Sequence, residues 1–235
     1  MKDFFEKLNA FGKPKRIDII EKDYHLHRIL HLISQNDYLK NNLVFKGGTC
    51  LIKAYYGYYR FSEDIDFTWQ NKDIWEDKSK SETVKRCSKE ITKLIHIFKD
   101  ISDRLNLIFS GKKSATNEVH ISSGGRMALL FIGYNSEILN MQSRIKIEIN
   151  FIEHTLYPFK KKKLKSYLEN LESEELKFLY DVPWKEYSTP ISLECYDPRE
   201  IFLEKCRASM TRRSYKLRDV LDIYFLEKRN NFSIS

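Results

Sequence analysis

Phe45-Lys46-Gly47-Gly48-Thr49, followed 16 positions after Gly48 by Asp64-Ile65-Asp66-Phe67, decides how this chain is read. The apolar run Leu43-Val44-Phe45 reads as a buried strand that ends at the glycine pair, and residues 48–59 continue as a short helix. A strand ending in Gly-Gly-Thr and opening a helix offers bare backbone N–H groups and a positive helix end, which suit phosphate oxygens. Residues 62–69 read as a second strand, with Asp64 and Asp66 on one face and Ile65 and Phe67 turned to the core. Two carboxylates on one strand face repel each other unless a cation lies between them. Hard oxygen ligands of this kind suit Mg²⁺ or Mn²⁺.

The cleanest strand lies further on. From Arg144 to Phe151 the chain alternates strictly, with Arg144, Lys146, Glu148 and Asn150 on one side and Ile145, Ile147, Ile149 and Phe151 on the other. A half-buried strand needs that period of two. If this strand neighbours the one bearing Asp64 and Asp66, Glu148 supplies a third carboxylate. Three carboxylates, two metals and a phosphate-binding turn are the parts of a phosphoryl or nucleotidyl transfer site.

The elements around these strands follow from periodicity. Ile19, Leu26, Leu30 and Ile33 form the stripe of a helix over residues 16–35, and a long helix is expected from about Ser81 to Asn106. Two strands are expected to flank a turn at Gly124-Gly125, the second over 126–134. After Pro158 the character changes. The lysine run Lys160–Lys163 is expected to open a charged helical stretch to about Tyr180. Helices should follow from Pro198, capped by Asp197, to about Arg212, and from Ser214 to about Arg229. The fold class is therefore α/β (α+β), a mixed sheet flanked by helices over residues 1–157 and a helical part over 158–235. With no linker between them, the two parts should pack together.

Lys205 sits on a largely apolar stripe with Ile201, Phe202 and Ala208. It either brings its ammonium to a phosphate or snorkels to solvent. Asp219 and Asp222 share one face of a helix that is apolar nearly all round, so that helix is expected to be buried and its carboxylates to need a partner, Lys205 or Arg218. Asp219 either orients Lys205 or a nucleotide, or both aspartates hold structural ion pairs. Arg212, Arg213, Lys216 and Arg218 form either a phosphate or RNA-backbone contact or a solvated face.

The chain has 235 residues, of which 42% are hydrophobic and 31% charged, enough to bury a core. Its formal charge of +8 excludes an acidic solvating protein and makes a polyanionic partner plausible. No apolar run approaches a membrane span and the first residues lack a signal-peptide core, so a cytoplasmic protein is expected. Cys50, Cys87, Cys195 and Cys206 lie far apart without a CxxC pair, which points to reduced packing thiols. His27 and His31 lack the HExxH pattern, and Gly111-Lys112-Lys113-Ser114 lacks the first glycine of a P-loop.

The string FKGGTCLIKAYYGYYRFSEDIDF, residues 45–67, resembles the hG[GS]…DxD pattern of the nucleotidyltransferase superfamily, and more closely the AbiEii/AbiGii group of abortive-infection and toxin–antitoxin systems. Glu21-Lys22-Asp23-Tyr24 resembles that group's early EKDY-like element. Lys146-Ile147-Glu148-Ile149 resembles its strand with the third acid, here Glu where Asp is commoner. Glu200 to Lys205 and Arg218 to Tyr224 resemble its C-terminal motifs. The resemblance implies a nucleotidyltransferase-like fold and Mg²⁺- or Mn²⁺-dependent transfer of a nucleotide from an NTP. The implied acceptor is the tRNA 3′ end, or in some members a protein, and a cognate antitoxin would be encoded nearby. It also implies roles: Asp64, Asp66 and Glu148 for the metals, with Glu148 also a candidate base. Gly47, Gly48 and Thr49 would cradle the triphosphate, Lys205 would neutralise phosphate charge, and Asp219 would position it or the nucleotide. Arg60 and Ser62 would either touch phosphate or brace the loop. The alternatives are transfer to a protein or small molecule, and a catalytically inactive RNA-binding module.

Overall fold

In the computed structural model, residues 1–11, 16–171, 173–212 and 216–230 are described. Helices α1 (Lys2–Phe11), α2 (Ile17–Gln35) and α3 (Asp37–Asn42) lead into β1 (Leu43–Lys46). The glycine pair opens the single turn α4 (Gly47–Cys50), which widens into π-helix over Leu51–Tyr56 and stops at Gly57. Next come β2 (Asp64–Trp69), the long helix α5 (Lys80–Arg104), β3 (Val119–Ser122), β4 (Met127–Ser136) and β5 (Met141–Asn150). The chain then forms β6 (Lys160–Leu164), α6 (Glu174–Leu179), α7 (Asp181–Ser188), β7 (Ile191–Cys195), α8 (Pro198–Thr211) and α9 (Leu217–Asn230). The seven strands make one mixed sheet in the order β3-β4-β5-β2-β1-β7-β6.

Sequence pattern explains most of this. Alternation along β5 buries Ile145, Ile147 and Ile149 completely and leaves the polar positions half-exposed. Leu43, Val44 and Phe45 are buried on both faces, as suits the strand held between β2 and β7. The α5 stripe Cys87, Ile91, Leu94, Phe98 and Ile101 packs into the main core, while α1, the start of α2 and α7 enclose a smaller one around Phe4, Phe5 and Tyr187. Asp197 caps α8 by accepting from the Arg199 N–H. The Gly124-Gly125 turn joins β3 and β4 with both glycines at positive φ. Cys50, Cys87 and Cys195 are buried free thiols, and Cys206 is partly buried.

Two expectations are corrected. Lys160–Lys163 begins the edge strand β6, not a helix, and pairs antiparallel with β7, Lys162 opposite Leu193. On an edge strand the lysine ammoniums reach water and discourage further pairing, whereas one helical turn would crowd four like charges. The part after residue 158 thus adds β6 and β7 to the sheet, with α6 and α7 between them and α8 and α9 after them. Nor is α9 buried all round: Leu217, Val220, Leu221 and Tyr224 on its outer face stay exposed, while Asp219, Asp222 and Leu226 face inward. Arg213 and Ser214 lie outside the described residues. Among the described residues no helix is long and apolar enough to cross a membrane.

Candidate active site

Strand register places the three carboxylates side by side. β2 and β5 run parallel with Asp64 opposite Lys146 and Asp66 opposite Glu148, and β1 runs antiparallel to β2 with Lys46 opposite Asp66. Alternation sends Ile65, Phe67, Ile147 and Ile149 into the core. Asp64, Asp66, Lys146 and Glu148 are left lining a cleft of about 410 Å³. Burial, with the Glu148 charge close by, pushes the Asp66 carboxyl up to about 6. Lys146 Nζ stands between the other two acids, 3.3 Å from Asp64 Oδ2 and 3.4 Å from Glu148 Oε2.

Among the described residues, no three His, Cys, Asp or Glu side chains stand closed upon a metal position. The donor chemistry nevertheless fits a hard divalent cation. Carboxylates on adjacent strands face one cleft, and Asp66 is raised first by burial and then by the Glu148 charge, a neighbour whose repulsion a cation would relieve.

The glycine turn is wedged between this floor and its neighbours. Gly47 has φ +75°, and a Cβ there would lie 2.2 Å from Asp66 Oδ2; a Cβ on Gly48 would lie 2.5 Å from an Arg60 guanidinium nitrogen. A side chain at either place makes Asp66 or Arg60 shift, and at Gly47 the positive φ adds backbone strain. Gly47, Gly48, Arg60 and Ser62 all line the cleft. Thr49 does not: it is buried, and its hydroxyl donates to the Asp64 carbonyl, tying the turn to β2.

The facing wall comes from α8 and α9. Lys205 Nζ lies 2.7 Å from Asp219 Oδ1 and 3.0 Å from Asp222 Oδ2, so its head is held in ion pairs rather than snorkelling to solvent. Of the two expected partners, Lys205 or Arg218, it is Lys205 that pairs with Asp219, and Arg212 joins it. Arg60 grips Asp222 with two bonds, of 2.7 and 2.6 Å, and Tyr59 donates to the same carboxylate at 2.6 Å. Burial alone would raise the Asp222 carboxyl, but Arg60 and Lys205 hold it below the usual range. Arg60 is therefore the brace between the loop before β2 and α9. Arg207, Lys216 and Arg218 add positive charge along the lining.

Sequence reasoning missed a cluster beside this wall. Lys46 is 8% exposed, and its Nζ donates to Glu153 at 2.5 Å and to Glu204 at 2.7 Å. Burial works against its charge, yet the two carboxylates hold its pKa above the ordinary value. Burial and the adjacent Glu153 charge push Glu204 up to about 7. No periodicity marks a lysine for burial, so only the quoted string pointed to this position. Lys146 had a signal, its place on the polar face of β5.

The early EKDY element lies away from the cleft and is structural. Glu21 accepts from Ser136 and the Glu137 N–H, Asp23 holds the buried Lys53 with Tyr58 and Tyr187, and Tyr24 donates to Glu186. Lys22 reaches Glu63, next to Asp64, at 3.0 Å. His27 contacts the Thr189 carbonyl through Nε2 at 3.0 Å, and burial drives its pKa down to about 3, so it stays neutral. Glu200 receives the Leu156 and Tyr157 N–H groups and fixes the loop after β5 to α8.

The cleft thus opposes a carboxylate floor to a cationic wall, with a glycine turn between them. That arrangement can grip a metal-chelated polyphosphate from both sides. Among solved structures, MenT4, described as a nucleotidyltransferase toxin from Mycobacterium tuberculosis H37Rv, superposes with a TM-score of 0.58 at 22% identity. The match covers 98% of this chain and 65% of that one, so the chain spans somewhat less than two thirds of MenT4; the likeness is one of fold. JHP933 from Helicobacter pylori matches at 16% identity and a TM-score of 0.49, over 90% of this chain and 67% of that one. No curated protein sequence matches the chain. The profile of the family described as nucleotidyl transferase AbiEii toxin, type IV toxin–antitoxin system, matches residues 31–235, floor, turn and wall included, and the chain belongs to that family.

Proposed function

We propose that this protein is a metal-dependent nucleotidyltransferase that moves NMP from an NTP to the 3′ end of tRNA, as the toxin of a toxin–antitoxin pair. The observation that carries the reading is the register of β2 and β5, which sets Asp64, Asp66 and Glu148 side by side in one cleft that the Lys205–Asp219 pair also lines. Asp64, Asp66 and Glu148 would hold Mg²⁺ or Mn²⁺. The bound metal would lower the pKa of the attacking hydroxyl and neutralise charge on the leaving pyrophosphate.

The chain's own residues do the rest. The Gly47-Gly48 turn lets the triphosphate approach the backbone closely, with Arg60 and Ser62 behind it. Lys205 offers an ammonium to phosphate oxygens, and Asp219 holds that ammonium in place. Glu148, half-buried at the floor, accepts the proton of the acceptor hydroxyl. Residues 1–157 carry the metal ligands, and residues 158–235 complete the site with α8 and α9. The exposed cations Arg207, Lys216 and Arg218 at the lining favour a nucleic-acid acceptor. An antitoxin encoded nearby is the expected partner.

Label transfer tests the reading. Purified protein, Mg²⁺ and each α-³²P NTP are incubated separately with total tRNA and with cell lysate, with a folded Asp64→Ala variant as control. Label on tRNA that disappears with Asp64→Ala is the expected result. Label on protein keeps the chemistry and moves the acceptor. Full activity in folded Asp64→Ala would sink the assignment.

A further inference from the structure

Lys146 stands where a cation has to stand. Its Nζ lies 3.3 Å from Asp64 Oδ2 and 3.4 Å from Glu148 Oε2, and its strand position faces Asp64 across the β2–β5 pair. Other cations of the cleft are engaged elsewhere: Lys46 with Glu153 and Glu204, Arg60 with Asp222, Lys205 with Asp219 and Asp222, Arg212 with Asp219. Among the described residues, Lys146 is the cation whose ion pairs go to the carboxylate floor, and both partners are proposed metal ligands. An ammonium and a divalent ion cannot both sit between the same two carboxylates.

We infer that Lys146 is an internal counter-ion that competes with the metal for Asp64 and Glu148, so that free metal binds weakly and metal and triphosphate bind as a coupled pair. The inference rests on the metal-dependent reading above. Metal entry must break two ion pairs and meet a floor already partly neutralised. A triphosphate in the same cleft offers the displaced ammonium new anionic oxygens. The Lys146 side chain is 29% exposed on a flexible stem and can turn toward them without repacking the core. Each ligand therefore lowers the cost of binding the other, and by linkage the factor is the same in both directions.

Mn²⁺ binding to the full chain, followed by loss of the free-ion EPR signal, tests the competition. Lys146→Met is expected to bind Mn²⁺ about tenfold tighter than wild type, the scale of a unit charge removed from within a few ångströms of the ion in a half-exposed cleft. Lys146→Arg keeps the charge and should bind as weakly as wild type. Asp66→Asn reports the metal site itself and should bind more weakly than either. Equal affinity in Lys146→Met and wild type, with Asp66→Asn weakened, overturns the counter-ion role and leaves the metal reading standing. Absence of Mn²⁺ binding in both wild type and Lys146→Met overturns the metal reading instead.

A second measurement takes the affinity of a non-hydrolysable triphosphate analogue in EDTA and in saturating Mn²⁺. The enhancement by metal should be several-fold larger in wild type than in Lys146→Met, and an equal enhancement overturns the coupling. If circular dichroism shows Lys146→Met to be misfolded, Lys146→Gln takes its place in both measurements.

Discussion

Replacing Gly47 by Ala separates two costs that usually arrive together, because the chain contains its own control. Gly47 and Gly57 have nearly the same φ, +75° and +74°, but a Cβ at Gly57 meets nothing within 4 Å, whereas at Gly47 it meets Asp66 Oδ2 at 2.2 Å. Gly57→Ala should therefore cost only backbone strain, about 1–3 kcal/mol. Gly47→Ala also sets a side chain at positive φ and must in addition push the Asp66 carboxylate by about 1 Å to reach ordinary contact, which overpacking data place at a further ~1–3 kcal/mol. For a chain of this size each kcal/mol lowers Tm by about 2–4 °C. Thermal unfolding should rank wild type, Gly57→Ala and Gly47→Ala in falling order. Transfer activity should separate the two variants more sharply. Displacing a reacting-site ligand by about 1 Å costs about a hundredfold, so Gly47→Ala should be nearly inactive at a temperature where Gly57→Ala is folded and active. Equal Tm and equal activity for the two variants would refute the wedge between the turn and Asp66.

Four further outcomes concern Asp66, Asp222 and Thr49. Asp66 titrates near 6 because of burial and Glu148. Below that pH a bound proton competes with metal, so transfer at subsaturating metal should fall about tenfold per pH unit below 6 and recover when metal is added. The sign for metal-free stability is opposite: this group's stabilisation is present below the ordinary carboxyl value and is lost as pH rises through about 6, which a Tm-versus-pH series in EDTA would show. Asp222→Ala should strand Arg60, Tyr59 and one contact of Lys205, costing about 3–5 kcal/mol as measured by denaturant unfolding. Thr49→Val should lower stability by about 1 kcal/mol through the lost bond to the Asp64 carbonyl and leave KM for the NTP unchanged; a raised KM at unchanged Tm would instead put the hydroxyl on the triphosphate.

How much of this was legible depended on whether a residue's role is written in local order. β5 was, because alternation between Arg144 and Phe151 states both its period and its buried face, and Glu148 came with it. The Asp64 and Asp66 pair was legible for the same reason. β6 was not, since four lysines become a strand only through a partner about 30 positions later, and no periodicity within the run reports that partner. The burial of Lys46 depends on Glu153 and Glu204 converging from two other elements. The resemblance puts Thr49 in the turn that would cradle a triphosphate, but it does not say where the side chain goes. That side chain turns to a backbone carbonyl of the next strand, a choice of rotamer that a motif does not carry. The outer face of α9 looked destined for burial because apolar residues surround the helix; the structure spends only the side bearing Asp219, Asp222 and Leu226.

The bond between Arg60 and Asp222 spans 162 positions of chain. A chain made from its N-terminus emerges in order, and here Arg60 and the carboxylates of β2 and β5 all precede α9, which begins at Leu217. Until α9 has emerged, Arg60 lacks its anchor and Lys205 lacks both of its carboxylates, so Asp64, Asp66 and Glu148 are in the chain before the wall that faces them is complete. The order of the chain thus sets an order of assembly: the loop bearing Arg60 is made before the helix that anchors it, and the two sides of the cleft meet only once α9 has folded.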